Sequence, residues 1–350
     1  MTTAMAIALD AMGGDYAPGV VVEGARLARE RFPNVHFILF GDERRLQPLV
    51  AKDAQLLGHS EIRHTDQAIA NDMKPSMALR NGRDSSMRLA INAVHDGQAA
   101  GVVSAGNTGA LMVMAKFVLK TLPGIDRPAI AGYIPSMRGD VVMLDLGANV
   151  ECSANNLVQF AVMGNVFARA VLGLPEPVVG LLNVGEEEMK GHEYLRDAAT
   201  ILRTEGFPVK FYGFIEGNDI LEGKVDVAVT DGFTGNVALK TAEGVSKFYT
   251  QILKEAFQSS PMARLGYLLA RSSLRKVKRK MDPRRYNGAM MLGLNGIVVK
   301  SHGGADALGF ANAIGVAIDM ATFGFNEKIT GAFEKFSADG LALKKAATPA

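Results

Sequence analysis

The sequence predicts a doubly wound α/β fold built on a mostly parallel sheet. Short β-branched runs alternate with helical stretches of ten or more residues, which is the pattern of repeated strand and helix units. Glycine-rich loops follow several of these runs, as they do where an open sheet binds a ligand. At 350 residues, the chain is expected to form one large unit or two closely joined subdomains.

The elements follow in order from the first strand. Ala6 to Asp10 is an apolar run that predicts a buried strand, and Val20 to Arg31 has helical periodicity after the loop AMGGDYAPG. Strands and helices alternate in the same way further along the chain. The other predicted elements are a strand at 35–40, a helix after Asp42, a strand near 61–64, a helix at Asp84 to His95, a strand at 100–104, helices at about 108–120 and 154–172, and strands at 177–183, 209–215 and 225–231.

One further pair of predicted strands is antiparallel. The segments AIAGYIP and DVVMLDL lie on either side of the short turn SMRG, which predicts a β-hairpin. The sheet is therefore expected to contain an antiparallel element within an otherwise parallel arrangement.

The chain from Gly235 to about Met281 predicts two helices that project from the α/β body as a hairpin. The segment SSP at Ser259 to Pro261 separates them. The first helix carries an apolar stripe that needs a partner surface, either the parent sheet or a second copy of the chain. The stripe consists of Val245, Phe248, Ile252, Leu253 and Phe257.

The second helix of this hairpin begins with an apolar tip and continues into a basic run. The tip, PMARLGYLLA, is too short to cross a bilayer but long enough to enter its interface. The basic run is open to interpretation as a solvated face, a contact for anionic lipid or an acidic protein, or a nucleic-acid contact. The adjacent apolar tip favours a contact with anionic lipid or an acidic protein, and the lack of interleaved aromatic residues disfavours a contact with nucleic acid. The expected contact residues are Met262, Leu265, Leu268, Leu269, Arg271, Arg275, Lys276, Lys278 and Arg279, and the run continues through Lys280, Arg284 and Arg285.

Composition limits the class of protein. Hydrophobic residues make up 48% and charged residues 21% of the chain, which excludes disordered, collagen-like and disulfide-stapled classes. The single cysteine, Cys152, allows no intramolecular disulfide, and the start MTTAMAIALD lacks the features of a signal peptide. No apolar run reaches the roughly 18 residues of a spanning helix. We therefore expect a cytoplasmic protein that associates peripherally with the inner face of the cell membrane.

Four segments are expected along the chain. Residues 1–234 form an α/β body with the binding loops, and residues 235–285 form the hairpin for dimerisation, membrane contact and docking of an acidic partner. Residues 286–336 return to the body, and residues 337–350 form a flexible tail.

The loops after the predicted strands suggest one shared site. DLGAN at 145–149, NVGEEEMKG at 183–191 and DGFTGNVALK at 231–240 each follow a β-branched run, and SAGNTGA at 104–110 and SHGGAD at 301–306 are loops of the same kind. Such loops bring backbone N–H groups close to a bound anion beyond the carboxyl ends of strands. The chain is therefore expected to be an enzyme for an anionic substrate.

A set of motifs in this order resembles the PlsX family, the acyl-acyl carrier protein:phosphate acyltransferases of bacterial phospholipid synthesis. The motifs are IALDAMGGDYAPGVVVEGA, KPSMALRNGRDSSM at 74–87, VSAGNTGALM, MLDLGANVEC, LLNVGEEEMKG, EGNDI, DGFTGNVALKTAEG and VVKSHGGAD, and they extend from about residue 5 to about residue 325. The resemblance implies a homodimer with a fold similar to phosphate acetyltransferases and isocitrate dehydrogenases.

The activity that this resemblance implies is attack by inorganic phosphate on the thioester that joins a long-chain fatty acyl group to acyl carrier protein. The product is acyl phosphate for phosphatidic acid synthesis, and a glycerol-3-phosphate acyltransferase is a possible next enzyme. Phosphate is already nucleophilic at neutral pH, so the site needs an anion cradle and oxyanion donors more than a general base.

Three side chains are candidates for catalysis. Lys190 follows the triplet Glu186 to Glu188, where its ammonium group would neutralise phosphate or the thioester oxyanion; the alternative is an exposed lysine paired with those glutamates. Asn236 is expected to donate to a phosphate or thioester oxygen; the alternative is an N-cap of the long helix. His302 is expected to donate to phosphate or to protonate the leaving thiolate, with a role in the turn as its alternative.

Phosphate is expected to be held by backbone amides of the loops, especially where a loop begins a helix. No metal or other cofactor is expected, because the loop aspartates lack the dense oxygen-ligand spacing of a metal site. The expected phosphate- and substrate-binding residues are Gly13, Gly14, Ser104, Asn107, Thr108, Gly109, Asn149, Asp231, Gly232, Thr234 and Gly235.

Other mechanisms and functions stay open from the sequence. Cys152 offers a covalent route through a thiolate, against the commoner role of a small buried hydrophobe. Rival functions are a phosphate acyltransferase for short-chain acyl-CoA, a membrane-bound scaffold for lipid-synthesis enzymes, and an NAD(P)-dependent dehydrogenase. The last is disfavoured because the first loop lacks the G-x-G-x-x-G pattern.

Overall fold

A single mixed sheet forms the centre of the molecule in the computed structural model, which describes residues 5–280 and 282–338. Within these residues, eleven strands pair in the order β3-β2-β1-β4-β11-β10-β5-β6-β9-β7-β8. The strands are β1 (Ala6–Asp10), β2 (His36–Gly41), β3 (Ser60–His64), β4 (Gly101–Ser104), β5 (Ala129–Pro135), β6 (Asp140–Leu144), β7 (Val178–Leu182), β8 (Lys210–Ile215), β9 (Val227–Val229), β10 (Ala289–Leu292) and β11 (Ile297–Lys300).

Helices connect most of the strands, and the predicted strands and helices are found close to their expected positions. Strands β10 and β11, with several short helices and the last two helices, are additional to the predicted elements. The helices are α1 (Gly19–Arg31), α2 (Glu43–Val50), α3 (Ala54–Leu57), α4 (Pro75–Asn81), α5 (Ser86–His95), α6 (Thr108–Leu119), α7 (Ala154–Val171), α8 (Glu193–Leu202), α9 (Gly217–Glu222), α10 (Gly232–Gln258), α11 (Pro261–Lys280), α12 (Ala307–Thr322) and α13 (Phe325–Ala338), with a 3₁₀ turn at Pro283–Tyr286.

Helices cover both faces of the sheet, which confirms the doubly wound prediction. Successive side chains of a strand point to opposite faces. Ile7 and Leu9 of β1 therefore belong to one hydrophobic core, which includes apolar residues of α1, α7 and α12. Ala8, between them, belongs to a second core with residues of α5 and α6.

The two halves of the sheet run in opposite directions. Strands β1 to β4 and β11 are mutually parallel, and β6 to β9 are mutually parallel. Between the halves, β11, β10, β5 and β6 pair antiparallel in succession, which includes the predicted β5–β6 hairpin. This reversal places the carboxyl ends of the two sets of parallel strands at different edges of the sheet.

Helices α10 and α11 form the predicted hairpin. The apolar stripe on α10 does not pack on the parent sheet, because Val245, Phe248, Ile252 and Leu253 are all exposed. Phe257, at the end of the stripe, packs against Tyr267 of α11 with 5.5 Å between the ring centroids. Most of the stripe is therefore open to a surface outside this chain.

No single helix within the described residues is long and apolar enough to cross a membrane. The bent pair formed by Ala307–Thr322 and Phe325–Glu334 has the length and apolar composition of a membrane-spanning segment when the two helices are taken together. However, both helices contribute buried residues to a core of the α/β body. Residues 339–350, most of the predicted flexible tail, lie outside the described residues.

Candidate functional site

The glycine-rich loops form two groups, one for each half of the sheet. The first loop group, residues 11–15, 105–110 and 301–306, follows β1, β4 and β11. The second loop group, residues 145–152, 183–192 and 230–236, follows β6, β7 and β9. The sequence predicted one shared site for all of these loops. The reversal of strand direction across β10 and β5 places the two groups after strands that run in opposite directions.

Asp10 holds the first loop group together. Its carboxylate, at the end of β1, is buried and accepts hydrogen bonds of 2.6 Å from the hydroxyls of Ser86 and Ser104. Burial raises the pKa of Asp10, and these hydrogen bonds oppose the rise. The Ser104 hydroxyl also accepts from the N–H of Gly106 at 3.0 Å. Ser104, a predicted phosphate ligand, is thus committed to the loop's own structure.

Gly13 and Gly14 are glycines because the loops touch at their backbones. A Cβ on Gly13 would overlap the Asp10 carboxylate and lie 2.8 Å from the Gly106 nitrogen. Gly14 has a φ of 103°, a backbone conformation that residues other than glycine rarely adopt. The next N–H, of Asp15, donates to the Gly303 oxygen at 3.0 Å and joins the loops after β1 and β11.

Asn107 caps α6 with a neutral group. Its side-chain oxygen accepts from the N–H of Ala110 at 3.0 Å, and its amide donates to the carbonyls of Asn71 and Met73 at 2.9 Å each. The side chain of Asn107, a predicted phosphate- or substrate-binding residue, therefore has a capping role in the structure. The N–H groups of Thr108 and Gly109 lie in the first turn, where a helix has no internal partners for its donors.

Lys300 is a candidate that the sequence analysis missed. It is the last residue of β11, and its ammonium group donates to the carbonyl of Ala105 at 3.3 Å and to that of Ser301. Burial lowers the pKa of Lys300 to about 8, and the carboxylates of Asp10 and Asp15 oppose this shift. The signal in the sequence was a lone lysine ending the apolar strand IVVK directly before SHGG.

His302 lies beside Lys300 in the first loop group. Its Nδ1 accepts from the N–H of Gly304 at 3.1 Å, so the neutral ring carries its proton on Nε2. Desolvation of the ring lowers the pKa of His302, and the charge of Lys240 lowers it further. The ring is therefore neutral at pH 7. The backbone N–H of His302 donates to the side-chain oxygen of Asn287 at 2.8 Å, so the residue also supports the turn, which is the alternative role predicted for it.

Asp145 organises the second loop group as Asp10 does the first. Its buried carboxylate accepts from the N–H groups of Ile130, Ala148 and Asn149 and from the Asn149 amide, at 2.7 to 3.0 Å. The same amide donates to Pro128 at 2.8 Å, so the predicted substrate ligand Asn149 is also a structural residue.

Gly232 and Gly235 bring the start of α10 against the DLGAN loop. A Cβ on Gly232 would lie 2.6 Å from the Asn149 oxygen, and a Cβ on Gly235 would overlap the Asp145 oxygen. These two predicted binding residues are both buried and allow close helix packing. Their N–H groups are consequently turned toward protein atoms, and Gly232 donates to Asn149 at 2.7 Å.

Asp231, and not Asn236, is the N-cap of α10. Its carboxylate accepts from the N–H of Thr234 at 2.8 Å and from the Thr234 hydroxyl at 2.9 Å. The hydroxyl of Tyr194 donates to the same carboxylate at 3.3 Å, which ties the first turn of α8 to the start of α10. The positive end of the helix dipole is thus already matched by a carboxylate.

Asn236 is free of the capping role and is exposed one turn into α10. Its side chain faces Gly147 of the DLGAN loop, where a Cβ on the glycine would lie 3.7 Å from the Asn236 Cβ. Gly147 has a φ of 132°, so this position also favours glycine. The Asn236 amide therefore lies at the mouth of the second loop group.

Lys190 is exposed and paired with a neighbouring glutamate. Its ammonium nitrogen lies 2.8 Å from Glu187 Oε1, and this contact raises the pKa of Lys190. Glu186 pairs with Lys224, and Glu188 pairs with Arg203 at 3.0 Å. The surface pairing proposed as the alternative for Lys190 is the arrangement in the structure, and all three glutamates are matched by cations.

Helix α10 joins the two loop groups. Asn236 faces the second group, and Lys240, one turn later on the same side of the helix, is close enough to lower the pKa values of His302 and Lys300 in the first group. Lys240 also pairs with Glu243 at 2.9 Å. The face of α10 that carries Asn236 and Lys240 therefore borders both sets of loops.

The hairpin presents the predicted apolar tip to solvent. The exposed fractions of Met262, Leu265, Leu268 and Leu269 are 76%, 52%, 61% and 80%. Arg271 and Arg275 are exposed, whereas the side chains of Lys276, Lys278, Arg279 and Lys280 lie outside the described residues. Arg284 is not a free cation, because it pairs with Asp282 at 2.6 Å and Asp306 at 3.2 Å.

Cys152 follows the DLGAN loop but is a poor nucleophile. Burial raises the pKa of its thiol to about 12, and the carboxylates of Asp145 and Asp231 contribute. The thiolate fraction at neutral pH is therefore very small.

Among the described residues, acidic and histidine side chains approach metal-binding geometry at Asp42, His64 and Asp66. Arg44 donates to both carboxylates, at 3.0 and 2.9 Å, so their charge is already matched. The three residues follow β2 and β3 and lie outside both loop groups. The absence of a metal cofactor stays a prediction.

The chain matches a known sequence family over most of its length. Residues 5–328 match the family described as "Fatty acid synthesis protein". The chain is 63% identical to the phosphate acyltransferase of Rhodospirillum centenum over 347 residues, covering 99% of this chain and 97% of that protein. It is 60% identical to the phosphate acyltransferase of Paramagnetospirillum magneticum over 335 residues, covering 96% and 95%.

Solved structures agree on the fold. The EutD phosphotransacetylase from Staphylococcus aureus aligns with a TM-score of 0.56 at 16% identity, covering 93% of this chain and 94% of that one. A branched-chain phosphotransacylase from Enterococcus faecalis aligns with a TM-score of 0.57 at 13% identity, covering 91% and 99%. These similarities confirm the expected phosphate acetyltransferase-like fold.

Proposed function

Because the chain belongs to the PlsX family of phosphate acyltransferases, described as fatty acid synthesis proteins, we propose that it transfers a long-chain fatty acyl group from acyl carrier protein to inorganic phosphate. The enzyme is an acyltransferase by its family; the carrier thioester as donor and acyl phosphate as product are the proposal. The observation that carries it is the position of α10, because one face of this helix borders both loop groups and each group contains a lysine, Lys300 in the first and Lys190 in the second.

Phosphate binds in the first loop group. The ammonium of Lys300 lies among the loops after β1, β4 and β11, and the first-turn N–H groups of Thr108 and Gly109 begin α6 there. A helix N-terminus and a cation together favour an anion. The cap on α6 is the neutral Asn107, so its dipole is not already compensated by a carboxylate.

The acyl thioester binds in the second loop group. Asp231 already places a carboxylate at the N-terminus of α10, which disfavours a second anion there. A neutral thioester carbonyl has no such conflict. Asn236 donates its amide to the carbonyl oxygen, and Lys190 stabilises the developing oxyanion after leaving its pair with Glu187.

Direct attack needs little proton transfer. An oxygen of phosphate attacks the thioester carbon, a C–O bond forms, and the C–S bond breaks to release the carrier thiolate, which then takes a proton from solvent. His302 is neutral at pH 7, because its pKa is lowered. This protonation state favours the role of a hydrogen-bond donor to phosphate through Nε2 over that of an acid for the thiolate.

The hairpin supports the remaining part of the proposal. The exposed tip around Leu268 enters the interface of an anionic membrane, where the acyl phosphate reaches a glycerol-3-phosphate acyltransferase. The exposed stripe at Val245, Phe248, Ile252 and Leu253 pairs with a second copy of the chain. The enzyme thus works as a homodimer at the inner face of the cell membrane.

Trapping the product tests the proposed reaction. The purified chain is incubated with palmitoyl-acyl carrier protein and phosphate, hydroxylamine converts acyl phosphate to hydroxamate, and acetyl-CoA is the parallel donor. The proposal predicts phosphate-dependent palmitoyl hydroxamate and no acetyl product. Acetyl product alone would identify a short-chain acyl-CoA enzyme, and no product from either donor would support a scaffold.

A further inference from the structure

Five cations on α4, α5 and α6, or in the residues next to the ends of these helices, form a basic face outside both loop groups. Within the described residues none of them has a salt bridge, whereas Arg26, Arg44, Arg63, Lys190, Arg203 and Lys224 all do. The charge of Arg83 adds to burial in lowering the pKa of Arg88, so like charges are held close together. The basic face consists of Arg80, Arg83, Arg88, Lys116 and Lys120.

An exposed aromatic ring lies in the middle of the basic face. The Phe117 side chain is 53% exposed, with the Arg88 guanidinium carbon 5.3 Å and the Lys120 nitrogen 4.8 Å from its ring centroid. Lys120 has a φ of 63°, the one positive value outside glycine among the described residues. Such a conformation costs about 1–3 kcal/mol and persists where the surroundings impose it. An exposed aromatic ring beside an arginine combines two residue types that are enriched at protein–protein interfaces.

The basic face is connected to the phosphate site through the starts of α4 and α6. The Asn107 cap of α6 donates to the backbone of Asn71 and Met73, just before α4. A Cβ on Gly109 would lie 2.7 Å from Pro75 Cγ, so the first turns of the two helices are in contact. Helix α6 has 12 residues and is about 18 Å long. A partner on the basic face therefore lies within one helix length of the site.

We propose that this basic face is the docking surface for the acidic acyl carrier protein, an inference that rests on the proposed function. Unpaired cations attract an acidic protein surface and orient it before contact. Phe117 gives that contact an apolar centre, but one ring is too little to enter a membrane, and the exposed apolar residues of the hairpin tip already serve that purpose. This assignment places docking on α4, α5 and α6, where an exposed aromatic ring lies beside an arginine and a lysine, in place of the basic run at 271–285 that the sequence suggested.

Charge reversal with a matched control tests the docking surface. The double variant Arg80→Glu/Lys116→Glu is compared with Lys52→Glu/Lys210→Glu, which makes the same charge change at exposed lysines elsewhere. In the first variant, the KM for palmitoyl-acyl carrier protein rises at least tenfold at low salt, while kcat and the KM for phosphate stay within twofold of wild type. The control variant keeps the wild-type KM values. Phe117→Ala raises the carrier KM without changing net charge.

Other results overturn the proposal in distinguishable ways. Equal carrier KM values for the two double variants, with an increase on Arg271→Glu/Arg275→Glu instead, would return docking to the hairpin. Loss of flotation with anionic vesicles at an unchanged carrier KM would make the basic face a membrane contact. Failure of the wild-type enzyme itself to consume the carrier thioester would remove the proposed function, and the carrier as occupant with it.

Discussion

The ammonium nitrogen of Lys300 lies 3.3 Å from the backbone oxygen of Ala105, which places a partly buried cation between the loops after β4 and β11. Parallel pairing of these strands sets Lys300 directly opposite Ser104, whose hydroxyl is bound to Asp10. The cation is thus held by the same network that shapes the first loop group. An ammonium bound to carbonyl oxygens alone keeps its charge available to an anion.

Lys300→Met is expected to weaken phosphate binding. Hydrogen bonds to a charged group contribute about 1.5–3 kcal/mol, so the KM for phosphate should rise roughly tenfold to a hundredfold. The KM for the acyl donor should stay near the wild-type value. Steady-state kinetics with each substrate varied separately measure both. An unchanged KM for phosphate would place the anion elsewhere.

The pH dependence of phosphate binding gives a second test of Lys300. Burial lowers its pKa to about 8, so the binding ammonium form is present below that pH and is lost as the pH rises through it. The KM for phosphate should therefore increase between pH 7 and pH 9 in the wild-type enzyme. Lys300→Arg keeps its charge over this range, so its profile should be flat. Parallel profiles for the two enzymes would contradict the assignment.

Lys190→Ala and Asn236→Ala are each expected to lower kcat by about 10²- to 10³-fold, the usual effect of removing one oxyanion donor. The matched control is Lys224→Ala, which removes a lysine paired with the adjacent Glu186. The control should keep kcat within about twofold. Equal, small effects of Lys190→Ala and Lys224→Ala would reduce Lys190 to the surface pair that it forms with Glu187.

Cys152→Ser is expected to keep wild-type kcat. Because burial raises the thiol pKa to about 12, the residue is not a thiolate at the pH of the reaction. Intact-mass spectrometry after mixing with palmitoyl-acyl carrier protein, in the absence of phosphate, should find no acylated enzyme. Palmitoyl attached to Cys152 would establish the covalent route instead.

Leu268→Asp is expected to release the enzyme from anionic liposomes without lowering its activity on soluble substrate. Leu268 is 61% exposed at the tip of the hairpin, so the substitution removes apolar contact and leaves the α/β body unchanged. Ser272→Asp, at an exposed position one turn later, adds the same charge without removing an apolar group. Flotation that is equally weak for both variants would assign the effect to charge alone.

Local patterns in the sequence predicted most elements of the fold. Apolar runs identified β1, β2 and β4, and helical periodicity with the break at Ser259 to Pro261 predicted α10 and α11. The antiparallel β10–β11 pair was not predicted, because only pairing through β5 shows how it reverses the sheet. A short stretch of sequence does not predict pairing between strands that are far apart in the chain. This pairing also separates the loops into two groups.

The candidate site was predicted less completely, because residue type does not reveal which partner a side chain meets. Ser104, Asn107 and Asn149 have the donors of phosphate ligands, but neighbouring groups in the fold use them. The N-cap at Asp231 could have been predicted from the sequence, because this aspartate lies three residues before Thr234 at the start of the helical pattern. The sequence did not predict the burial of Lys300, because a lysine at the end of a strand is an ordinary feature.

The proposed reaction requires that phosphate itself accepts the acyl group from the carrier thioester. The most direct test incubates the enzyme with palmitoyl-acyl carrier protein and phosphate labelled at all four oxygens with ¹⁸O, and weighs the intact product by mass spectrometry. Direct attack by phosphate gives palmitoyl phosphate that retains all four labelled oxygens, because the bond forms from phosphate oxygen to acyl carbon. A product without the label, or free palmitate in its place, would contradict it.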